Sequence, residues 1–187
     1  RRFSDLPMLV RLDRQGDRWV PGRMLRAADF DGALAQDEHP DWKTVGLDAK
    51  SGDVVVPNGS IGFRWSPGEK WNLEQRDARD GHEVELALSV AERRDGFANV
   101  AFPRFEASAP DHVVERSVPV RRLKLRDGEV PVATVLDLML ASYGVPRGLE
   151  PGDEATYDDA DRPFTPAWQE AITGVDRRIA INLAREF

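Results

Sequence analysis

The sequence contains no cysteine and only 3 histidines among its 187 residues. Without cysteine the chain has no disulfide, no thiolate zinc site and no cysteine ligand for an iron–sulfur cluster. His39, His82 and His112 are scattered, lack a histidine at i+3 or i+4, and each lies beside a charged residue or a proline. A helical pair of metal-binding histidines is therefore absent, and we expect these side chains at the surface.

Long hydrophobic runs are missing as well. No apolar stretch approaches the roughly 20 residues that a helix needs to cross a bilayer, so we expect a soluble segment without a direct membrane span. The first residues, RRFSDLPMLV, lack the apolar region and small-residue cleavage site of a signal peptide. The formal net charge is −7, which disfavours a nucleic-acid partner because a duplex binder needs a basic face.

One dense basic stretch comprises Arg121, Arg122, Lys124 and Arg126. At a period of two, Leu123 and Leu125 share one face of a strand while Arg122, Lys124 and Arg126 share the other. This pattern is typical of a half-buried strand with a solvated outer face. A contact with an acidic partner is the alternative.

The first two thirds of the chain read as a series of β-hairpins. Turn signals at Gly16, Lys50–Asp53 and Asp127–Gly128 separate apolar runs that alternate as strands do. Strands are also predicted over 83–92 and 97–105, with Asp95–Gly96 between them. Residues 27–36 predict a short helix that ends before His39–Pro40.

The last third changes to a helical pattern. Residues 134–144 have apolar residues at helical spacing and end at Gly144. Thr165–Pro166 predicts the start of a second helix that Gly174 ends, and Asp176 can cap a third. In the third helix Ile179, Leu183 and Phe187 share one face. That helix still runs at Phe187, as we expect of a cut fragment.

These elements give an α+β fold, with antiparallel hairpins followed by C-terminal helices. We expect residues 1–187 to be a single domain or fragment. Residues 1–132 are mainly β-hairpins, and residues 133–187 are mainly helical with an acidic surface loop at 150–164. The five tryptophans are expected to anchor the core because of their large apolar area. Trp65 and Trp71 could alternatively face a neighbouring subunit. The tryptophans are Trp19, Trp42, Trp65, Trp71 and Trp168.

Candidate sites are few. Clustered carboxylates in the acidic loop suggest calcium, but the spacing of a calcium-binding loop is missing and a solvated loop is expected. These carboxylates are Asp153, Glu154, Asp158, Asp159 and Asp161. Asn58–Gly59 predicts a tight turn, whose backbone N–H groups could alternatively approach a pterin phosphate. No nucleophile–base pair or ligand cluster can be placed, so we assign no catalytic or metal-binding residue and leave cofactor-binding residues unknown.

Five stretches together carry a resemblance to a known family. They are SDLPMLVRLD (4–13), GRMLRAADF (22–30), PNGSIGFRW (57–65), KWNLEQRD (70–77) and TPAWQEAITGV (165–175). The first two recur in molybdenum enzymes that act on chlorate, selenate and hydrocarbons, and the last resembles a segment of the wider superfamily. PNGSIGFRW followed by KWNLE is particular to the catalytic alpha subunit of the membrane-bound respiratory nitrate reductase, a molybdopterin oxidoreductase, which the chain resembles from Asp5 to Phe187.

The resemblance implies a parent enzyme far larger than this chain, with a molybdopterin-oxidoreductase α/β architecture. Such a parent carries a molybdenum bis-guanine-dinucleotide cofactor and one [4Fe–4S] cluster. It reduces nitrate to nitrite with quinol electrons, delivered by a membrane haem subunit and an iron–sulfur beta subunit. It lies peripherally at the cell membrane, on the cytoplasmic side. The family's cluster and molybdenum ligands match no position here, so the isolated segment is expected to be inactive.

Two alternatives remain. The segment could derive from a related molybdenum oxidoreductase that reduces another oxyanion, which the resemblance of its first two stretches allows. It could also be a stand-alone binding or scaffolding domain, which the lack of a catalytic constellation favours. On its own the segment is expected to be only marginally stable, because faces such as Ile179–Leu183–Phe187 would lack packing partners.

Overall fold

The computed structural model describes residues 4–32, 34, 41–58, 75–103, 113–145, 147–149 and 156–186. Strands occupy most of the first part and helices follow, so the predicted α+β fold is confirmed. In chain order the strands are β1 (Leu9–Gln15), β2 (Arg18–Met24), β3 (Gly46–Leu47), β4 (Val54–Val55), β5 (Pro57–Asn58), β6 (Arg76–Asp77), β7 (Gly96–Pro103), β8 (Val113–Leu125) and β9 (Gly128–Thr134). The helices are α1 (Val135–Ser142), α2 (Pro166–Thr173) and α3 (Arg177–Arg185).

Five of the strands close into a barrel in the order β1-β2-β7-β8-β9. Neighbouring strands are antiparallel except β2 and β7, which are parallel and meet at Trp19 and Val100. Pairing of Leu9 with Thr134 closes the barrel between its first and last strands. Because this pairing joins residues far apart in sequence, the hairpin pattern alone does not predict it.

The predicted hairpins form where glycine permits the turn. Gln15 pairs with Arg18, so Gly16 and Asp17 form a two-residue turn in which Gly16 has a φ of 65°. β8 and β9 turn at Arg126–Asp127, and β3 and β4 flank the predicted turn at 50–53. A side chain at Gly52 (φ 78°) would in addition meet the guanidinium groups of Arg93 and Arg121. The Arg121 guanidinium donates to the Gly52 carbonyl at 2.7 Å.

The barrel wall at β1 and β9 is buried on both sides. Leu9 and Val10 are adjacent, but Leu9 packs with Leu25 and Val45 whereas Val10 packs with Val100 and other barrel side chains. Successive side chains of a strand point to opposite faces, which explains this division. We call the cluster that contains Leu9 the outer core cluster; the 45–56 segment and Val90 contribute to it and cover this side of the wall. The barrel wall thus separates two hydrophobic clusters.

The basic stretch forms the half-buried strand that its alternation predicts. Arg122 and Lys124 on β8 are exposed, Leu125 is buried, and Leu123 packs against the outer core cluster. The solvated basic face and the buried leucine face expected from the alternation are confirmed. Whether the basic face meets an acidic partner stays a prediction.

Two local predictions differ from the structure. In the described part of 27–36 the predicted short helix is a 3-10 helix over Ala27–Asp29, after which Phe30 is extended and Gly32 has a φ of 73°. Residues 83–92 do not pair with β7. Glu83 and Leu86 make isolated bridges to Arg76 and Asp48, and a 3-10 turn over Ala91–Arg93 follows. Bonds to the 47–49 segment replace a regular ladder, because these residues cover the barrel instead of extending it.

The tryptophan prediction fails at one position. Trp42 is 80% exposed, which contradicts its assignment to the core. Trp19 is half-buried against the barrel cluster, with the Arg14 guanidinium 4.2 Å from its ring centroid. Trp168 is half-buried too, 5.3 Å from the Phe164 ring. Trp65 and Trp71 lie outside the described residues, so their placement stays a prediction.

The three predicted helices form with the predicted caps, but the expectation that the third one still runs at Phe187 is wrong, because α3 ends at Arg185 with Glu186 as its C-cap. α1 ends before Gly144, which has a φ of 64°. The Thr165 side chain accepts a hydrogen bond from Trp168 N at the start of α2, and Gly174 ends that helix in the left-handed conformation. Asp176 accepts from Arg178 N and caps α3. None of the helices in the described ranges is long and apolar enough to cross a membrane.

Candidate functional site

Asp137, near the start of α1, is a buried polar group with several hydrogen-bond partners. Thr134 is the N-cap of this helix and Asp137 is its third residue, so the two side chains form a reciprocal capping box. Asp137 N donates to Thr134 Oγ1 at 3.1 Å. The box places a carboxylate, fully shielded from solvent, where the last barrel strand becomes a helix.

Donors from three chain segments converge on this carboxylate. Ser89 Oγ at 2.6 Å and Arg147 Nη1 at 2.5 Å donate to Oδ1. Val90 N at 2.9 Å and the Thr134 hydroxyl at 2.8 Å donate to Oδ2. Arg147 Nη2 also donates to Ser89 Oγ at 2.7 Å. We call Ser89, Val90, Thr134, Asp137 and Arg147 the Asp137 knot.

The chemistry open to the knot is limited by its saturation. A general base must come within hydrogen-bond reach of a substrate proton. Both oxygens of Asp137 already accept hydrogen bonds, and neither faces solvent. The knot therefore joins the 89–90 segment and Arg147 to α1, and we assign Asp137 a structural role and not a catalytic one.

A cleft of about 440 Å³ lies beside the knot. Its wall includes Arg147, Arg93, Glu85 and Glu92, so charges of both signs face it. Arg93 is committed to the fold, since its Nη2 donates to the carbonyls of Ala49 at 3.0 Å and Lys50 at 2.6 Å. Protein oxygens thus fix the position of both guanidinium groups at the wall of the cleft.

Two further buried carboxylates hold turns together. Asp77 accepts from the Arg79 backbone N–H and from its Nε, both at 2.8 Å. Burial alone would raise the pKa of Asp77, but the hydrogen bonds and charge of Arg79 hold it below the ordinary value of 3.8. Asp48 is also buried, and hydrogen bonds from Ser51 N and Glu85 N outweigh its burial and lower its pKa.

We expect these carboxylates to make the fold acid-sensitive. Their folded pKa values lie below the unfolded value of about 3.8, so the folded form binds fewer protons. Their stabilisation is complete above about pH 5 and is lost as pH falls through the folded values. Urea unfolding at a series of pH values should show a smaller acid loss for Asp77→Asn than for the unsubstituted chain. The exposed Asp161→Asn serves as control, and equal losses in all three proteins would contradict the assignment.

The acidic loop does not form a metal centre in its described part. Asp158 pairs with Arg177 at 2.9 Å, Asp159 accepts from Thr156 N at 2.6 Å, and Asp161 is exposed. Asp153 and Glu154 lie outside the described residues. No group of three or more potential metal-ligating side chains comes together within the ranges that the structure describes.

The other predicted candidates are dispersed. His82 is exposed and lies 2.5 Å from Asp80 through its Nδ1. His39 and His112 lie outside the described residues, as do Gly59 and the rest of the PNGSIGFRW turn beyond Asn58. The pterin-phosphate interpretation of that turn therefore stays a prediction.

Sequence reasoning did not identify the Asp137 knot. One signal was present, because Thr134-Val-Leu-Asp137 has the Thr-x-x-Asp spacing of a capping box. No comparable signal marks Ser89 or Arg147, which reach Asp137 only through the fold.

No family model matches this chain. The chain is 48% identical over 196 aligned residues to the respiratory nitrate reductase 1 alpha chain of Escherichia coli (strain K12). It is 36% identical over 187 residues to the nitrate reductase alpha chain of Bacillus subtilis (strain 168). It is 42% identical over 191 residues to the nitrate reductase alpha subunit of Mycobacterium tuberculosis (strain ATCC 25618 / H37Rv).

All of this chain is covered in each comparison, but it spans only 15–16% of the length of these relatives. The resemblance predicted from the five sequence stretches is confirmed at identities too high, over too long a range, to reflect composition alone. Along its whole length the chain is homologous to one internal segment of the nitrate reductase alpha chains.

Proposed function

We propose that the chain is a segment of the catalytic subunit of a respiratory nitrate reductase, in which it serves as a scaffold. The observation that carries this proposal is the match of the whole chain to nitrate reductase alpha chains at 36–48% identity. The Asp137 knot supports a structural role because its polar groups are bonded to one another. The barrel wall at β1 and β9 supports it too, because both of its faces are packed with apolar side chains.

The proposed reaction of the complete subunit reduces nitrate. Nitrate takes up an electron pair and two protons, one N–O bond breaks, and nitrite and water are formed. A molybdenum bis-guanine-dinucleotide cofactor would supply the redox-active metal for this reaction. The proposed electron route runs from quinol through a membrane haem subunit and an iron–sulfur beta subunit. The complex would lie peripherally on the cytoplasmic side of the cell membrane.

The described residues do not supply a set of ligands for the metal ions of these cofactors. They bring no three metal-ligating side chains together, and the buried Asp137 carboxylate is saturated by protein donors. We therefore derive no reaction step through this segment and expect the isolated chain to lack nitrate reductase activity. Its contribution would be to hold neighbouring parts of the subunit in place.

The test uses the complete polypeptide that contains these 187 residues, with reduced viologen as electron donor. We expect nitrite to form from nitrate faster than chlorate or selenate is reduced, and we expect no nitrite from the isolated chain. Faster turnover of chlorate or selenate would assign the segment to a related oxyanion reductase. Absence of all three activities from a polypeptide loaded with molybdenum cofactor would overturn the proposal.

A fractionated immunoblot with an antibody against this segment separates the remaining alternative. We expect a membrane-associated band far larger than 20.9 kDa that comigrates with nitrate reduction. A band at the mass of the chain alone, away from the membrane fraction, would instead indicate a stand-alone binding or scaffolding domain.

A further inference from the structure

The end of α2, the turn after it and α3 present large apolar side chains to solvent. Ile172, Val175, Ile179 and Leu183 are between 45% and 61% exposed. Ile179 and Leu183 are four residues apart within α3 and therefore share one face of that helix, whereas Ile172 lies at the end of α2 and Val175 in the turn after it. We call these four residues the α2–α3 patch. Single exposed apolar residues are ordinary, but a group of them so close together in the chain indicates an interaction surface.

The patch is not the face by which α3 joins the rest of the chain. Ala180, Ile181 and Ala184 face a pocket of about 300 Å³ that Phe164 and Pro166 also line. α3 thus has one apolar side turned toward α2 and its preceding loop, and Ile179 and Leu183 lie on another. A nine-residue helix with two apolar sides is typical of an element packed between neighbours.

Ion pairs hold the patch in place. Arg177 Nε donates to Glu170 at 2.7 Å, and Arg177 Nη1 donates to Asp158 at 2.9 Å. The first pair joins α3 to α2 and the second joins it to the acidic loop. Because α3 is fixed at its first residue, the exposed side chains form a preorganised surface.

The area of the patch argues against association of two free copies. A stable interface between separate proteins needs roughly 800 Å² from each partner, and four half-exposed aliphatic side chains supply much less. A segment of the same polypeptide does not need so large an area, because tethering keeps it at high effective concentration. More than four fifths of each curated relative lies outside the segment matched here.

We propose that another segment of the same polypeptide, with an apolar helix or sheet face, covers the α2–α3 patch in the complete subunit. This inference rests on the proposed function, because it requires the chain to be part of a longer catalytic subunit. It adds a location at which the scaffold meets the remainder of that subunit. Leu183 and Ile179 are then interior residues of the parent protein.

Thiol labelling of the complete alpha subunit, purified without other subunits, tests the inference. Leu183→Cys is compared with Asn182→Cys, an exposed polar position on the same helix. The native segment has no cysteine, so the labelled peptide reports on the introduced thiol alone. We expect maleimide to label Leu183→Cys at least about tenfold more slowly, because the reaction would require local opening.

Equal labelling of the two variants would overturn the inference. Protection of Leu183→Cys that appears only when a second subunit is added, or only at high protein concentration, would also overturn it in favour of a different occupant. If Leu183→Cys does not accumulate, hydroxyl-radical footprinting of the unsubstituted subunit reports the exposure of Ile179 and Leu183 directly. Nitrate reduction is measured in the same preparation, so an active subunit with a freely labelled Leu183→Cys refutes this inference alone.

Discussion

Replacing Asp137 with asparagine is expected to lower the free energy of unfolding of the chain by about 3–5 kcal/mol. The substitution leaves the Arg147 guanidinium without its carboxylate. It also turns one acceptor oxygen into an NH₂ group that faces donors from Ser89 or Val90. Urea unfolding followed by far-ultraviolet circular dichroism measures the effect. Because the isolated chain is expected to be only marginally stable, this loss should leave the variant largely unfolded without urea.

Asp158→Asn is the matched control for Asp137→Asn. Asp158 also pairs with an arginine, Arg177, but its side chain is 82% exposed. Water and ions screen such a pair, so the control should lose far less stability. Similar losses in the two variants would show that the buried knot contributes no more than a surface ion pair.

The same substitution distinguishes a scaffold from a reaction centre in the complete enzyme. We expect Asp137→Asn to reduce the amount of assembled enzyme while the nitrate turnover of each assembled molecule is unchanged. A normal amount of enzyme with reduced turnover per molecule would contradict the structural role that we assign to the knot.

Replacing Leu9 with alanine is expected to cost about 2–5 kcal/mol of stability. Leu9 is completely buried in the outer core cluster, and its backbone bonds to Val45 and Leu25. Truncation would leave a cavity between the barrel and the segment that covers it. The midpoint of urea unfolding of the 187-residue chain is the measurement, and a change within about 0.5 kcal/mol, as at a surface position, would contradict the packing described for β1.

Leu183→Ala is the control for Leu9→Ala, and it also tests whether the α2–α3 patch is covered in the complete subunit. In the isolated chain Leu183 is 57% exposed, so its truncation should change stability by no more than about 0.5 kcal/mol. In the complete subunit we expect the same substitution to be clearly destabilising, because the α2–α3 patch would be covered. A neutral effect in both proteins would count against that covering segment.

The local part of the fold could be predicted because its determinants lie close together in sequence. Gly16 and Asp127 lie in two-residue turns between alternating strands, and Thr165–Pro166 and Gly174 bound a helix. The failures involve long-range packing. Residues 83–92 have the pattern of a strand, but they make only isolated bridges and cover the barrel wall. Trp42 is a large aromatic residue of the kind expected in a core, but it is exposed.

The candidate site was less predictable than the hairpins. Thr134 and Asp137 are three residues apart and carry a visible capping signal. Ser89 and Arg147 lie on either side of them in sequence, 48 and 10 residues away from Asp137. A serine or arginine in isolation is compatible with any surface position, so only the tertiary fold identifies their common partner.

The closure of the barrel by β1 and β9 has a consequence for biosynthesis. Leu9 pairs with Thr134, so the first strand emerges from the ribosome long before the strand that completes its pairing. At a synthesis rate of about 5–20 residues per second, the interval is roughly 6–25 s. Throughout it the β1 edge and Leu9 are open to wrong partners, and nascent chains stalled before Thr134 should bind chaperones or aggregate. The edge of β1 therefore needs protection during translation until β9 has been made.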